Sequence, residues 1–126
     1  MASGRRTSRI SSTSRRANIV IRSYGAPGRL VPPRATGLRS RAVVLRPDKV
    51  MDWHSTGARE ELLLVIRGVL QLEIEGSAVK RILRRPLRAG QCAFLPSQTT
   101  HRVVNRSTQR ALYIYITAAA RPRQPS

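Results

Sequence analysis

Two histidines, His54 and His101, are the only imidazole side chains in a chain of 126 residues. Each lies beside a short run with the composition of a strand, and Glu61 opens an apolar run that reads ELLLVI. If the two imidazoles and the carboxylate converge, they form a set of two histidines and one carboxylate. Such a set suits Fe(II), Mn, Ni or Zn and leaves coordination positions open for a substrate. The sequence therefore contains the ligands for one divalent metal.

The elements that must position these ligands are short strands. Apolar, β-branched runs recur from residue 41 onwards, and each ends in turn residues. This rhythm predicts an antiparallel sandwich or barrel with no long helix. The ELLLVI run is apolar on both faces, as expected of a strand buried between two sheets. We predict strands at 41–46, 60–67, 69–75, 91–95, 100–105 and 110–118.

The stretch from 79 to 90 is predicted to be a loop. It concentrates basic side chains in one connection, and these side chains either lie in solvent or bind phosphate or an acidic partner. The residues are Lys80, Arg81, Arg84, Arg85 and Arg88.

A second pattern runs from Gly90 to Asn105. It has a glycine, five residues, Pro96, four residues, His101, three residues and an asparagine. This spacing resembles the second motif of the cupin superfamily, with Gln98 replacing a turn glycine.

The stretch from Asp48 to Gly68 is similar to the first cupin motif. His54, Glu61 and Gly68 match it, and the six-residue spacing to Gly68 selects Glu61 rather than its neighbour. Asp48 replaces the leading glycine of the motif, and Thr56 replaces its second histidine. The two motifs together cover roughly half of the chain.

The resemblance implies an all-β fold, an antiparallel cupin or jelly-roll barrel. It also implies that the usual four metal ligands of the family fall on His54, Thr56, Glu61 and His101. A neutral hydroxyl is a weak donor, so Thr56 marks a missing fourth ligand and three good ligands remain. The alternative is that Glu61 and His101 only form hydrogen bonds within the barrel mouth, as in members of the family that have lost the metal.

The charge of the chain is strongly asymmetric. It holds 24 Lys and Arg against 6 Asp and Glu, a net charge of +18, and no acidic residue precedes position 41. We predict a disordered basic arm and Pro/Gly linker at 1–37, a barrel at 38–119 and a flexible tail at 120–126. The arm is a tether to nucleic acid or an acidic surface, an organelle transit peptide, or an extension without a selected role.

Other side chains are expected to be structural. A single cysteine, Cys92, excludes an intrachain disulfide and is expected to be a small buried side chain. Trp53 is expected in the core or at a rim, and Tyr113 and Tyr115 are expected to pack with their hydroxyls in water. No apolar run is long enough to span a bilayer, so we expect a cytoplasmic protein without membrane contact.

These patterns predict a small cupin-domain protein that binds a divalent metal, a small polar molecule, or both within the barrel. The reaction stays open between isomerase-like chemistry, dioxygenase-like chemistry and a pure ligand sensor. The sequence does not fix the oligomeric state, and the resemblance makes a homodimer one of the options, because cupins often pair as dimers. The alternative is a non-enzymatic cupin scaffold whose arginine-rich arm contacts nucleic acid or an acidic partner.

Overall fold

The structure is a computed structural model that describes residues 19–76 and 81–121. The predictions for residues 1–18, for Lys80 and for residues 122–126 lie outside these ranges. Within them, no helix is long and apolar enough to cross a membrane. The strands are β1 (Gly28–Arg29), β2 (Leu38–Leu45), β3 (Val50–Ser55), β4 (Arg59–Arg67), β5 (Val69–Glu75), β6 (Ile82–Arg88), β7 (Cys92–Leu95), β8 (Thr100–Val104) and β9 (Ala111–Ala119).

The strands form two antiparallel sheets. One has the order β1-β2-β9-β4-β7 and the other has the order β3-β8-β5-β6. Strands that are distant in sequence therefore lie side by side, as when β4 pairs with β9. The predicted all-β antiparallel architecture is confirmed. The division of the chain into arm, barrel and tail stays a prediction.

The core lies between the two sheets, and strand alternation decides which residues enter it. In β4, Leu63 and Val65 are each 2% exposed and pack with Leu70 and Leu72 of β5 in the opposite sheet. Each such side chain stabilises the fold by roughly 1.5–3 kcal/mol relative to an exposed one. The same alternation places the polar residues of β4 at one end of this inner face, next to the apolar core.

The opposite face of β4 is not covered by the second sheet, which corrects the expectation for the ELLLVI run. Ile66 points to the outer side of the five-stranded sheet and packs there against a smaller cluster that includes Leu112 and Ile114. Leu30, from the segment beside β1, also packs against this cluster. The run is apolar on both faces because each face has its own apolar neighbours.

Three observed strands, β1, β3 and β6, are absent from the predicted set, and β3 is the strand that carries His54. Most of the predicted basic loop is β6, which pairs with β5 along its length. Its arginines and Pro86 conceal it in the sequence, but β6 is an edge strand, where proline and charge are tolerated. Gly28–Arg29, in the predicted linker, pairs with β2.

At two positions where the sequence departs from the motif, the turns have the conformation that glycine favours. Asp48 and Gln98, which replace motif glycines, have positive φ angles of 64° and 59°. Gly68 has φ of 88°, and a Cβ there would lie 2.9 Å from Ala111 Cβ. Glycine is required at Gly68 because of its positive φ angle and because of the close approach of Ala111. Asp48 and Gln98 also have positive φ angles but accept a side chain, at a cost of about 1–3 kcal/mol each.

A buried carboxylate on the outer side of β5 joins three strands. Glu73 is 0% exposed and lies directly opposite Arg102 of β8 and Arg84 of β6. Arg102 Nε donates a 2.7 Å hydrogen bond to Glu73 Oε1, and Arg106 Nη2 lies 3.3 Å from Oε2. Burial alone raises the pKa of Glu73, but Arg102, Gln71 and Arg106 outweigh it and lower the pKa to about 2.

Replacing Glu73 tests this cluster. Glu73→Gln leaves three arginines without their carboxylate, so we expect the free energy of unfolding at pH 7 to fall by about 1–3 kcal/mol. The lowered pKa means that the native state favours the ionised form. The contribution is therefore complete above pH 4.5, the ordinary value, and is lost as the pH falls through about 2.

Urea unfolding of both proteins between pH 7 and pH 2 measures the difference. It should shrink as the pH falls from about 4.5 towards 2. The matched control is Glu75→Gln, on the same face of β5 but exposed, which should change stability by less than ~0.5 kcal/mol. Equal effects of the two substitutions would contradict the assignment.

Candidate metal centre

The three predicted ligands are brought together by strand pairing within one sheet and by packing between the two sheets. His54 of β3 lies directly opposite His101 of β8. Glu61 of β4 comes from the other sheet, on the inner face that also carries Leu63. One ligand atom from each of the three residues lies within 4.8 Å of the others. The predicted convergence of two imidazoles and one carboxylate is present.

The distances fit a site of metal size. His101 Nε2 lies 3.4 Å from Glu61 Oε2. The rings of His54 and His101 have centroids 4.3 Å apart and planes tilted by 57°. A metal with nitrogen and oxygen ligands at 2.0–2.2 Å needs donor atoms a few ångströms apart and aimed at a common point. Three of the coordination positions would be filled and the rest would stay open.

Backbone carbonyls orient both imidazoles. His54 Nδ1 lies 2.7 Å from the carbonyl oxygen of Asp52, and His101 Nδ1 lies 3.1 Å from that of Thr99. A carbonyl only accepts, so each Nδ1 carries the hydrogen and donates it. In the neutral rings this leaves Nε2 without a hydrogen, which is the form that binds metals.

His101 is the residue that fits a metal best. It is 0% exposed, and Nε2 is the one buried side-chain nitrogen or oxygen without a hydrogen-bond partner in the described parts of the chain. Buried polar atoms without partners are rare in folded proteins and call for an explanation, such as an ion. Burial lowers the pKa of His101, but Glu61 and the Thr99 carbonyl outweigh it, so the net pKa is raised. The residues present therefore fit a cation at this position.

Thr56, at the position of the missing fourth ligand, is engaged elsewhere. It is 8% exposed, and its hydroxyl donates a 2.7 Å hydrogen bond to the Pro96 carbonyl and accepts one from the Thr99 amide at 3.0 Å. Its own amide donates to the Thr99 carbonyl. Thr56 therefore joins the turn after β3 to the turn before β8, and this junction holds Thr99 where it orients His101.

Thr56→Val tests this role. The substitution keeps the shape but leaves a buried amide and carbonyl without their partner, so we expect the free energy of unfolding to fall by about 1–3 kcal/mol. The amount of metal bound should not change, because the hydroxyl is not a ligand. Denaturant unfolding and metal analysis of the same samples measure both effects. Thr108→Val, at an exposed turn, is the control, and loss of metal on Thr56→Val would contradict the assignment.

The three residues open into a cavity of about 550 Å³. This volume lies within the range of pockets that hold small molecules, roughly 300–1,000 Å³. The apolar part of the wall is formed by Met51, Leu63, Val103, Tyr113 and Tyr115. The polar part, besides the predicted ligands, is formed by Arg39, Asp52, Ser55, Thr56, Arg59 and Thr117.

The two tyrosines correct the sequence-based expectation. Tyr113 is 2% exposed and lines the cavity instead of reaching water, whereas Tyr115 is half-buried and lines both this cavity and a neighbouring groove. Burial, and then the charge of Glu61, raise the pKa of Tyr113, so its hydroxyl stays protonated. Alternation along β9 places both on one face, and the sheet order, which the sequence does not reveal, decides that this face is the inner one.

Other singled-out residues lie away from the cavity. Trp53 is half-buried, and Arg102 Cζ lies 4.9 Å from its ring centroid, a cation–π contact on the outer face. Cys92 was expected to be buried but is exposed, because β7 is an edge strand and Cys92 lies opposite Leu64, on the outer side of β4.

The sequence analysis did not identify one residue that lines the cavity, Arg59. The only signal for it in the sequence is its spacing of two residues from Glu61 in one strand.

With the sheets and the site in place, comparison with known proteins identifies the family. A family model described as a cupin domain matches residues 42–117, more than half of the chain. The chain therefore belongs to the cupin family, and the resemblance seen in its two motifs is confirmed. No curated protein has a matching sequence.

Several solved structures share the fold. A Cupin 2 conserved barrel domain protein from Salinispora arenicola is 22% identical with a TM-score of 0.62, over 93% of this chain and 91% of that one. The Cupin_2 domain of an XRE family transcriptional regulator from Enterobacter cloacae is 18% identical with a TM-score of 0.62, over 76% and 97%. An oxalate oxidase is 22% identical with a TM-score of 0.61, over 66% of this chain, which spans only 42% of the oxidase.

Proposed function

We propose that this protein binds one divalent transition-metal ion through His54, Glu61 and His101, and that the cavity above the ion takes a small polar molecule. The observation that carries the proposal is the Nε2 atom of His101, which is buried without a hydrogen-bond partner in the described chain. It faces a carboxylate 3.4 Å away and a second imidazole, so a cation between them would complete the bonding of all three. Fe, Mn, Ni and Zn suit this set of donors.

The described residues support a division of roles. When bound, the ion would supply Lewis-acid or dioxygen chemistry. Thr99 and Asp52 hold the imidazoles through their carbonyl oxygens. Tyr113 and its apolar neighbours form one wall of the cavity. None of these features selects between an isomerase-like and a dioxygenase-like reaction or simple ligand binding, so the proposal is metal-dependent binding of a small molecule.

Metal analysis tests the proposal directly. Protein purified without an affinity tag is exposed to Fe, Mn, Ni and Zn, dialysed and measured by elemental analysis. We expect about one ion per chain, and less than ~0.1 after His101→Gln or Glu61→Gln, because each removes one of three ligands. Glu60→Gln is the matched control, since Glu60 is exposed and adjacent in β4.

The outcome is decisive in either direction. Less than ~0.1 ion per wild-type chain with every metal would overturn the proposal and favour a pocket closed by hydrogen bonds alone. Loss of metal in Glu60→Gln as large as in Glu61→Gln would place the site elsewhere.

A second proposal concerns the basic surface of the protein. The edge strand β6 carries Arg84, Arg85 and Arg88, all exposed, and Arg106 on the loop after β8 is exposed as well. Arg84 and Arg106 also contact Glu73, which offsets part of their charge. We infer that this surface, with the arginines of residues 1–18, binds nucleic acid backbones by neutralising phosphates.

Binding to a short DNA duplex tests the second proposal. Log affinity should fall linearly with log salt concentration, with a slope of about −0.9 for each phosphate neutralised. Deleting residues 1–18 removes Arg5, Arg6, Arg9, Arg15 and Arg16 and no residue of the described sheets, and it should reduce the slope. Absent binding, or a slope that the deletion leaves unchanged, would contradict it.

A further inference from the structure

Two arginines line the same cavity as the candidate metal ligands. Arg59 precedes Glu61 by two residues on the inner face of β4. Arg39 of β2 lies opposite Thr117 of β9, and Thr117 lies opposite Glu61. The backbone of Arg59 is thus about 7 Å from that of Glu61 along the strand, and the backbone of Arg39 is about 9.5 Å away across two strands.

Arg59 is held in place before any ligand arrives. Its Nε donates a 2.8 Å hydrogen bond to Thr117 Oγ1, and its Nη2 donates to the carbonyl oxygens of Gly37 at 2.9 Å and Thr117 at 3.0 Å. These contacts fix the plane of the guanidinium, and Nη1 forms no hydrogen bond within residues 19–76 and 81–121. With Nε and Nη2 engaged, Nη1 is the group left to donate a charge-assisted hydrogen bond to one carboxylate oxygen of a ligand.

Charge at the cavity favours an anion. The charged residues of its lining are Arg39, Arg59, Asp52 and Glu61. Their two positive and two negative charges sum to zero when the histidines are neutral. A divalent ion at the metal centre would leave a net charge of about +2 in a partly enclosed space, where charge attracts a counter-ion more strongly than in bulk water. This positive charge would come from the ion and from the two arginines, Arg39 and Arg59, which lie on the same inner face as Glu61.

We propose that the cavity selects a small organic acid, with a carboxylate on Arg59 and Arg39 and an oxygen at its other end directed to the metal centre. This inference rests on the proposed metal-binding function. It adds that the ligand is an anion and that Arg59 and Arg39 bind its carboxylate. Arg59 is the principal contact, because Arg39 is exposed and also borders a neighbouring groove with Arg29 and Arg41.

The test is calorimetric titration of Mn(II)-loaded and metal-free protein with malonate, succinate and glutarate. We expect at least one dicarboxylate to bind the loaded protein, and succinamide, the uncharged analogue of succinate, not to bind. Arg59→Gln should weaken dicarboxylate binding about 10- to 100-fold, because one hydrogen-bonded charge contact is lost. Arg39→Gln should weaken it about 2- to 5-fold, since the side chain is exposed.

The controls separate this inference from the metal proposal. Arg67→Gln, at the far end of β4 and exposed, should leave both metal and dicarboxylate binding unchanged. Metal content should be the same in all three arginine variants. If Arg59→Gln does not fold, Arg39→Gln still decides, because its side chain makes no hydrogen bond within the described chain.

Several results would overturn the inference. These are no dicarboxylate binding to loaded protein, succinamide binding as tightly as succinate, tighter binding of inorganic phosphate than of any dicarboxylate, or arginine variants that bind like wild type. Each can occur with one metal ion per chain, so the metal proposal would then survive. Failure of wild-type protein to take up metal overturns the metal proposal instead, and titration of metal-free protein still shows whether Arg59 reads carboxylates.

Discussion

Burial of a carboxylate and an imidazole between two sheets is the constraint on which the rest of the structure depends. Glu61 and His101 are 7% and 0% exposed, and isolated charges or polar atoms are costly in such a place. The cost is tolerated because the two groups face each other at 3.4 Å and because Thr99 holds the imidazole from behind. Thr56, in turn, holds Thr99, so a chain of contacts runs from the turns at the barrel mouth to the centre of the site.

The protein buries two carboxylates and treats them differently. Glu73, on the outer side of one sheet, has Arg84, Arg102 and Arg106 around it, and Gln71 donates a further hydrogen bond. The polar contact of Glu61 in the described structure is its approach to His101 alone. A satisfied buried carboxylate has a structural role, whereas an undersupplied one beside an unpartnered imidazole nitrogen supports the proposed cation site.

Much of this arrangement can be predicted from the sequence. The spacing of His54, Glu61 and His101 identifies the motifs, and strand alternation places Glu61 on an inner face. Alternation cannot tell which face of a strand is inner when both are apolar or both polar, and this explains the errors at Cys92 and Tyr113. Register across strands distant in sequence is also invisible, so Arg39 and Arg59 could not be assigned to the cavity, and both lie just before the predicted starts of their strands.

The replaced motif glycines show that conformation persists where residue identity does not. Asp48 and Gln98 keep positive φ angles because the turns around them are fixed by backbone hydrogen bonds, from the Asp48 amide to the Asn105 carbonyl and from the Gln98 amide to that of Gly57. The strand ends therefore stay aligned without the glycine, and the ligands stay in register.

The two imidazoles of the candidate site differ in their exposure to solvent. His101 is enclosed, while His54 is exposed and is fixed by a single hydrogen bond to the Asp52 carbonyl. If the proposed ion binds, His54 is the ligand most exposed to solvent, whereas Glu61 and His101 are buried. The fit of the site to its proposed ion would then depend, at the rim, on the single backbone hydrogen bond that orients His54.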